Sequence, residues 1–255
     1  MNPLDLFRLD GRVALVTGSG RGIGKALAEG FAGAGAKVWV NARDPAKGEP
    51  VANAIGGRFI RADLASSKDI AAMVRQMEKE ETRLDILVNN AAVEVILPFE
   101  KTDLSKADEI WRLNVRAAEE LTFLLLPLLK KSHGASIINI TSIHDVMPYP
   151  HNLDYNMSKA ALNMFTRTLA LELGPKGIRV NNLAPGPVET DLNREVIDSI
   201  GRDKFGEWVP LGRVATVGEM VGPAIFLASE ASSYVNGATL YADGGYMLNL
   251  VRYRP

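Results

Sequence analysis

The chain has 255 residues, of which 47% are hydrophobic and 23% are charged. This is the composition of a globular protein with a large core, and it excludes a disordered chain. The net charge of −1 gives no electrostatic footprint for nucleic acid or for an anionic membrane. The lack of cysteine excludes disulfides and thiolate catalysis, and no His and carboxylate residues cluster at metal-ligand spacing. We therefore expect no metal, no nucleic acid and no membrane partner.

The start of the chain has no basic segment followed by an apolar one, so we expect no signal peptide and a cytoplasmic protein. The longest apolar stretch, Leu121 to Leu129, is far shorter than the roughly 20 residues that span a bilayer. It is therefore predicted to be part of a buried helix.

Short apolar runs alternate with longer helical patterns along the chain, which is typical of an α/β fold with parallel strands and helices on both faces. We predict one doubly wound domain, 1–255, in which Pro127 kinks a long helix or lies near its end. The predicted strands are Val13–Thr17, Lys37–Asn41, Arg58–Ala62, Ile86–Asn89, Ser136–Thr141, Arg179–Leu183 and Thr239–Ala242. The predicted helices are 22–33, 45–55, 67–81, 104–131, 154–174 and 217–229.

A glycine-rich turn, Thr17-Gly-Ser-Gly-Arg-Gly-Ile-Gly24, joins the first predicted strand to the first helix. Such a turn lets the backbone approach a phosphate, to which the helix N-terminus presents free N–H groups. An ATP-type phosphate loop is excluded, because Ser19 and Ala26 stand where that motif needs Gly and Ser or Thr. The turn indicates either a dinucleotide site or a tight turn without a ligand. The predicted contacts are Gly18, Ser19, Gly20, Arg21, Gly22, Ile23 and Gly24.

Polar or conformationally special residues stand at the carboxyl ends of the predicted strands, where an open parallel sheet binds its ligands. They are Gly18, Arg43, Asp63, Asn89–Asn90, Ser142 and Pro185–Gly186. Together they outline one crevice across the sheet. Asp63 is placed either to accept a hydrogen bond from an adenine amino group or to cap a helix.

Tyr155 and Lys159 are four residues apart and share one face of a predicted helix. An ammonium close to a phenol lowers the pKa of that phenol and so favours acid–base catalysis near neutral pH. Ser142 precedes Tyr155 by thirteen residues, at a strand end, where it is able to hold a substrate oxygen. The three residues predict a catalytic group.

These motifs, with Asp63-Leu64, Asn89-Asn-Ala91, Asn114, Pro185-Gly186 and Asp243-Gly-Gly245, resemble the short-chain dehydrogenase/reductase family over about residues 8 to 247. The resemblance implies a Rossmann-type sheet of about seven parallel strands. It also implies reversible hydride transfer between a nicotinamide cofactor and a carbonyl or secondary alcohol. Ala92 stands where the family has Gly, which places a methyl group beside the nicotinamide end.

The resemblance also implies individual roles. Tyr155 is the acid/base, Ser142 orients the substrate oxygen, Lys159 binds the nicotinamide ribose and lowers the pKa of Tyr155, and Asn114 holds a relay water. Asn89 shapes the cofactor site, and Thr190 contacts the carboxamide. The further cofactor-binding residues are Leu64, Asn90, Ala91, Pro185, Gly186 and Val188.

The end of the second strand indicates which dinucleotide is bound. NAD-type relatives carry an acidic residue there for the ribose 2′-hydroxyl, whereas this chain has Ala42 followed by Arg43. Arg43 and Arg21 suit the 2′-phosphate of NADP, so we predict NADP, with NAD use possible. A shift of two residues in the strand end would instead make Asp44 the ribose ligand.

Ser142-Ile-His144-Asp145 and the segment Asn89 to Glu94 are similar to the glucose 1-dehydrogenase branch of the family. We expect Glu94, His144 and Tyr155 to contact a sugar, polyol or small ketone beneath a lid, 189–210. Alternatively, His144 bonds a loop carbonyl and Glu94 lies at a subunit contact. Two alternative functions remain open for the chain: a 3-oxoacyl-carrier-protein reductase and a non-catalytic dinucleotide sensor. Apolar faces on the long helices predict a homodimer or homotetramer.

Overall fold

The computed structural model describes residues 2–190 and 194–249. Seven strands form one parallel sheet in the order β3-β2-β1-β4-β5-β6-β7. Every predicted strand is present within a few residues of its predicted bounds. The strands are β1 Val13–Val16, β2 Lys37–Ala42, β3 Arg58–Arg61, β4 Ile86–Asn89, β5 Ala135–Ile140, β6 Ile178–Pro185 and β7 Thr239–Ala242.

The helices connect these strands. They are α1 Gly22–Gly33, α2 Pro45–Ala54, α3 Ser67–Glu80, α4 Leu104–Trp111, α5 Ala117–Leu129, α6 Leu153–Leu173, α7 Arg194–Ile200, α8 Arg202–Gly206 and α9 Val221–Ala228. The single helix predicted for 104–131 is in fact α4 and α5, joined by a π-helical segment, Arg112–Arg116. Pro127 lies in the last turn of α5, as predicted.

Two separate apolar cores lie on the two faces of the sheet. On one face, α3, α5 and α6 pack against the strands through side chains such as Ile70 and Leu125. On the other face, α1, α2 and α9 do so through side chains such as Phe31 and Leu227. Alternate residues of β1 point to opposite cores, Leu15 to the first and Val16 to the second. The predicted doubly wound α/β fold is confirmed.

Within the described ranges, no helix has the length and apolar character that crossing a membrane requires. The predicted lid contains α7 and α8, while its residues 191–193 lie outside the described part of the chain.

Candidate active site

A cleft of about 450 Å³ lies at the carboxyl ends of the strands. It begins at the turn after β1 and passes the ends of β2 and β3 on one side and of β4, β5 and β6 on the other. Each of these ends contributes a lining residue, among them Gly18, Asp63, Asn90, Ser142 and Gly186. The structure therefore brings the polar strand ends of the sequence together at one edge of the sheet.

The glycine-rich turn forms a cradle at one end of the cleft. Gly18 and Gly22 have φ values of +62° and +56°, which L side chains rarely adopt. A Cβ at Gly24 would lie 2.4 Å from Asn90 Nδ2 and 2.5 Å from Gly18 O. The turn therefore packs against β4 with no room for a side chain. The N-terminus of α1 faces the cleft at Gly22 and Ile23.

Ser19 has a different role from the one predicted. Its side chain is fully buried, and its hydroxyl donates to Val16 O over 2.7 Å. Its N–H donates to Asn41 O over 2.8 Å. Both polar groups are thus used inside the protein, and Ser19 stabilises the turn from behind. Gly20 also lies outside the cleft lining.

Asn41 is a buried residue of β2 that the sequence patterns did not single out. Its Oδ1 accepts from Gly18 N over 3.3 Å, and its Nδ2 donates to Ile60 O over 3.3 Å. It therefore links the glycine-rich turn to β3. An asparagine inside a strand that is buried on both faces was the available signal, because a buried amide needs partners.

The end of β2 presents positive charge to the cleft. Arg21 and Arg43 both line it, and the Arg43 side chain is 77% exposed, with its Nη1 3.9 Å from Asp63 Oδ2. Asp44 is occupied elsewhere, because its side chain caps α2 by accepting from Ala46 N over 3.0 Å. Asp63 lines the cleft, and its Oδ1 also accepts from Ala65 N over 3.0 Å. Ser66 rather than Asp63 caps α3.

Tyr155, Lys159 and Ser142 meet at the other end of the cleft. The first turns of α6 place Lys159 Nζ 5.4 Å from the centre of the Tyr155 ring, and Nζ donates to Ile140 O over 2.8 Å. Lys159 is only 3% exposed, and burial lowers its pKa to about 8, while Glu94 and Asp145 act in the opposite direction. An ammonium with this pKa is poised to lose its proton just above neutrality.

Burial raises the pKa of Tyr155, and the negative charge of Glu94 adds to that increase. A hydrogen bond with Ser142 is the influence that lowers it. The pKa of Tyr155 is therefore shifted in the direction opposite to the one that the resemblance implies, because desolvation and the charge of Glu94 outweigh the hydrogen bond with Ser142.

Asn114 lies behind the cleft, in the π-helical segment. Its Oδ1 accepts from Val93 N and its Nδ2 donates to Val93 O, each over 2.9 Å, and Nδ2 also donates to Ser158 Oγ over 3.1 Å. The side chain therefore clamps the loop after β4 to α6. Asn114 also lines a cavity of about 10 Å³, the space of a single water molecule, together with Asn89.

Glu94 lines the cleft next to the clamped residue Val93, and Asn152 Nδ2 donates to its Oε1. His144 lies at the margin, outside the lining, where Nδ1 bonds Met147 O over 3.0 Å. Its ring approaches that of Tyr155 edge-on, with centres 6.3 Å apart. His144 Nδ1 thus bonds a loop carbonyl, which is the alternative that the sequence left open for this residue. The remaining predicted residues that line the cleft are Leu64, Ala91, Pro185, Val188 and Thr190, and Ala92 joins them.

Asp145 belongs to a segment that carries the resemblance, but no role was predicted for it. It is buried behind Ser142, and its Oδ1 accepts from the Tyr241 hydroxyl over 3.0 Å. Burial raises the pKa of Asp145, although the hydrogen bond from Tyr241 opposes this. Across the described residues, no group of three or more His and carboxylate side chains is arranged to hold a metal ion.

Known proteins share this architecture. The profile of the family described as "Enoyl-(Acyl carrier protein) reductase" matches residues 18–247. The 3beta-hydroxysteroid dehydrogenase 1 of Eggerthella lenta is 34% identical over 248 residues, which are 94% of this chain and 95% of that protein. The D-threitol dehydrogenase of Mycolicibacterium smegmatis is 34% identical over 251 residues, 95% of each chain.

Among solved structures, a gluconate 5-dehydrogenase from Burkholderia cenocepacia J2315, in complex with NADP and tartrate, superposes with a TM-score of 0.91. It is 36% identical, and the match covers 96% of this chain and 98% of the other. With its glycine cradle, its Ser142, Tyr155 and Lys159 group and these relatives, the chain belongs to the short-chain dehydrogenase/reductase family of NAD(P)-dependent oxidoreductases.

Proposed function

We propose that the protein is an NADP-dependent oxidoreductase that interconverts a secondary alcohol and a carbonyl on a sugar, a polyol or a small ketone. The observation that carries this proposal is the joint presence of Ser142, Tyr155 and Lys159 at one end of a cleft whose other end is a glycine cradle. The related D-threitol dehydrogenase supports a polyhydroxylated substrate.

The residues at the cradle fit a dinucleotide. Gly22 leaves open space at the first turn of α1, where a pyrophosphate would meet free N–H groups, while the absence of a side chain at Gly18 and Gly24 lets the turn pack closely against the residues that follow β4. The choice of NADP rests on Arg21 and Arg43 in the lining and on Asp44, whose carboxylate is used as a helix cap. Ala42 has no carboxylate to repel a 2′-phosphate. The related gluconate 5-dehydrogenase binds NADP.

When bound, the nicotinamide supplies or accepts the hydride. The substrate oxygen is held by the Ser142 hydroxyl, and Tyr155 donates its phenolic proton to that oxygen during reduction. In oxidation Tyr155 takes the proton back. The ammonium of Lys159 stabilises the phenolate that Tyr155 becomes, and its bond to Ile140 O keeps it in place.

Asn114 supports the site by holding the Val93 peptide through two hydrogen bonds. Because both of its amide hydrogens are used in the protein, any relay water beside Asn114 has to bond to its backbone or to the remaining lone pair of Oδ1. The predicted lid begins beside the substrate end, since Thr190 at its start lines the cleft.

The protein acts in the cytoplasm as a homodimer or homotetramer. The oligomer is supported by exposed apolar side chains on α5 and α6: Phe123, Met164 and Leu171 are 73%, 60% and 80% exposed. Large apolar side chains on neighbouring helices are typical of a surface that a second subunit covers.

The test is an absorbance assay of nicotinamide oxidation and reduction, with NADP and NAD each offered sugars, polyols, sugar acids and secondary alcohols. We expect turnover with NADP, and we expect Tyr155→Phe to remove nearly all of it while nucleotide binding persists. Conversion of a carrier-bound 3-oxoacyl substrate alone would transfer the assignment to the reductase alternative. Failure to bind either nucleotide would contradict the proposal.

A further inference from the structure

We propose that Glu94, oriented by Asn152, makes the substrate end of the cleft selective for neutral hydroxylated substrates and excludes carboxylates. This inference rests on the proposed function and narrows its substrate class. Glu94 supplies the selectivity through its carboxylate oxygens, and Asn152 positions that carboxylate.

Val93, next to Glu94 in sequence, and Asn152, next to it in space, fix the position of Glu94. On one side, Val93 is held by the paired hydrogen bonds of Asn114, so the backbone entering Glu94 is anchored. On the other side, Asn152 is only 1% exposed and donates to Glu94 Oε1. Asn152 immediately precedes α6, three residues before Tyr155. Glu94 is therefore tied to the turn of α6 that carries the acid/base.

The charge of Glu94 acts on the reacting groups. It raises the pKa of both Tyr155 and Lys159, so its carboxylate lies within electrostatic reach of the phenol and the ammonium. A substrate whose oxygen bonds to Tyr155 and Ser142 would place its adjacent carbons beside this carboxylate.

The other charges of the cleft lie elsewhere or are already paired. Among the described lining residues the cations are Arg21, Arg43 and Lys159, and the anions are Asp63, Glu94 and Glu109. The two arginines belong to the end formed by β1 and β2. Asp63 faces Arg43 at 3.9 Å, and Glu109 bonds Lys106 Nζ at 3.0 Å.

Lys159 offsets the charge of Glu94 only in part, since its Nζ is buried and donates to Ile140 O, whereas the Glu94 side chain is exposed and lines the cleft. The contact to Glu94 that the structure shows comes from a neutral amide, which leaves the charge of the carboxylate in place. A carboxylate accepts strong hydrogen bonds from hydroxyl groups, whereas it repels another carboxylate. The substrate end is therefore suited to a neutral polyol or sugar rather than to a sugar acid.

The experiment compares Glu94→Gln with the unchanged protein, using NADP and pairs of substrates of equal chain length: a polyol, or its keto sugar, and the corresponding sugar acid. We expect the unchanged protein to prefer the neutral member. In Glu94→Gln, kcat/KM for the neutral member should fall roughly tenfold as a charge-assisted hydrogen bond is lost, and that for the acid should rise.

Glu109→Gln is the matched control, because it removes a lining carboxylate whose charge Lys106 already offsets. It should leave the preference unchanged. Asn152→Ala should move the preference in the same direction as Glu94→Gln, but less, because the carboxylate remains and loses only its orientation. Thermal melting confirms that each variant is folded.

The dependence of the substrate preference on ionic strength distinguishes an electrostatic role of Glu94 from a purely structural one. Added salt should narrow the preference of the unchanged protein by screening the repulsion, and it should have little effect on the preference of Glu94→Gln. Turnover with an equal or greater preference for sugar acids, or an equal loss on both substrate classes in a folded Glu94→Gln that still binds NADPH, would overturn the inference. Absence of turnover on every substrate would count against the proposed function itself.

Discussion

Arg43 and Asp44 are adjacent and oppositely charged, yet the structure gives them separate tasks. Asp44 is bonded to the first turn of α2, and Arg43 extends into the cleft. The sequence alone left open which of them meets the cofactor ribose. The helix cap favours Arg43, because the Asp44 carboxylate accepts a hydrogen bond from the α2 backbone and Asp44 is not among the residues that line the cleft.

Arg43→Ala should raise the KM for NADP roughly tenfold and leave the KM for NAD nearly unchanged, since a charged hydrogen bond to the 2′-phosphate is lost. Arg75→Ala, which removes an exposed guanidinium from α3, is the control. Steady-state kinetics with both nucleotides measures the effect. An unchanged KM for NADP in Arg43→Ala would refute the role of Arg43.

Lys159 has a pKa of about 8, and Asp145 is one of the negative groups that keep it from falling lower. In the proposed mechanism, loss of the ammonium removes the charge that stabilises the phenolate form of Tyr155. The rate of carbonyl reduction should therefore decline as the pH rises through about 8.

Asp145→Asn should move this decline to lower pH, because removal of a nearby negative charge lowers the pKa of Lys159 further. The measurement is kcat/KM for reduction from pH 6 to about 10, a range chosen to bracket the reference values of such groups. Asp154→Asn, a less buried change in the first turn of α6, is the control and should leave the profile in place. A shift toward higher pH in Asp145→Asn would contradict the assigned sign.

At the level of elements, α1 contains two glycines in different surroundings. Gly24 packs against Gly18 O and Asn90, whereas a Cβ at Gly33 meets nothing within 4 Å. The sequence predicts a helix through both positions but does not distinguish them, because the contact at Gly24 depends on how closely α1 approaches the end of β4.

Gly24→Ala should destabilise the protein by about 1–3 kcal/mol through overpacking and should weaken nucleotide binding. Gly33→Ala should be neutral or stabilising by up to about 1 kcal/mol, since alanine restricts the unfolded chain. Denaturant unfolding and NADPH fluorescence measure the two effects. Equal stability of the two variants would show that the turn is able to move away from α1.

The π-helical segment between α4 and α5 shows a further limit of periodicity. An apolar pattern at helical spacing covers 104–131 and predicts one helix. In the structure, Arg112–Arg116 form a π-helical turn, in which each hydrogen bond spans five residues instead of four. This places Asn114 toward Val93 and Ser158. These hydrogen bonds join residues that are far apart in sequence, so the local apolar pattern does not predict them.

For the whole molecule, α5 and α6 expose the large apolar side chains Phe123, Met164 and Leu171. Met164→Glu should dissociate the proposed oligomer, because it buries a charge in the subunit contact. Tyr234→Glu, at a fully exposed position outside these helices, should leave the assembly intact. Sedimentation velocity measures the outcome. A monomer at all concentrations of the unchanged protein would rule out this interface.

A row of polar residues crosses the sheet where no motif predicts one. Asn89, Asn139, Asn182 and Thr239 occupy matching positions on β4 to β7. Asn89 Nδ2 donates to Asn139 Oδ1 over 2.8 Å, and Asn182 Nδ2 donates to Thr239 Oγ1 over 3.0 Å. Strand register aligns them, and Thr166 of α6 links the two pairs, because Asn139 Nδ2 donates to its hydroxyl oxygen and that hydroxyl also bonds Asn182 Oδ1.

Features encoded in short stretches of chain were predictable. The alternation of apolar runs and helical patterns specified the doubly wound fold, the glycine-rich turn marked its ligand edge, and the four-residue spacing of Tyr155 and Lys159 placed both on one face of α6. The physical reason is that backbone freedom, helical periodicity and binary patterning are properties of neighbouring residues.

Relations between distant residues were decided by the tertiary structure. Glu94 and Asn152 are 58 positions apart, and Asp145 and Tyr241 are 96 apart, so their contacts depend on sheet order and on strand register. The pKa values of Tyr155 and Lys159 depend on burial, which no motif specifies. Whether a polar side chain lines the cleft, as Arg43 does, or serves the fold, as Ser19 and Asp44 do, is set by which hydrogen-bond partners the folded chain brings within reach.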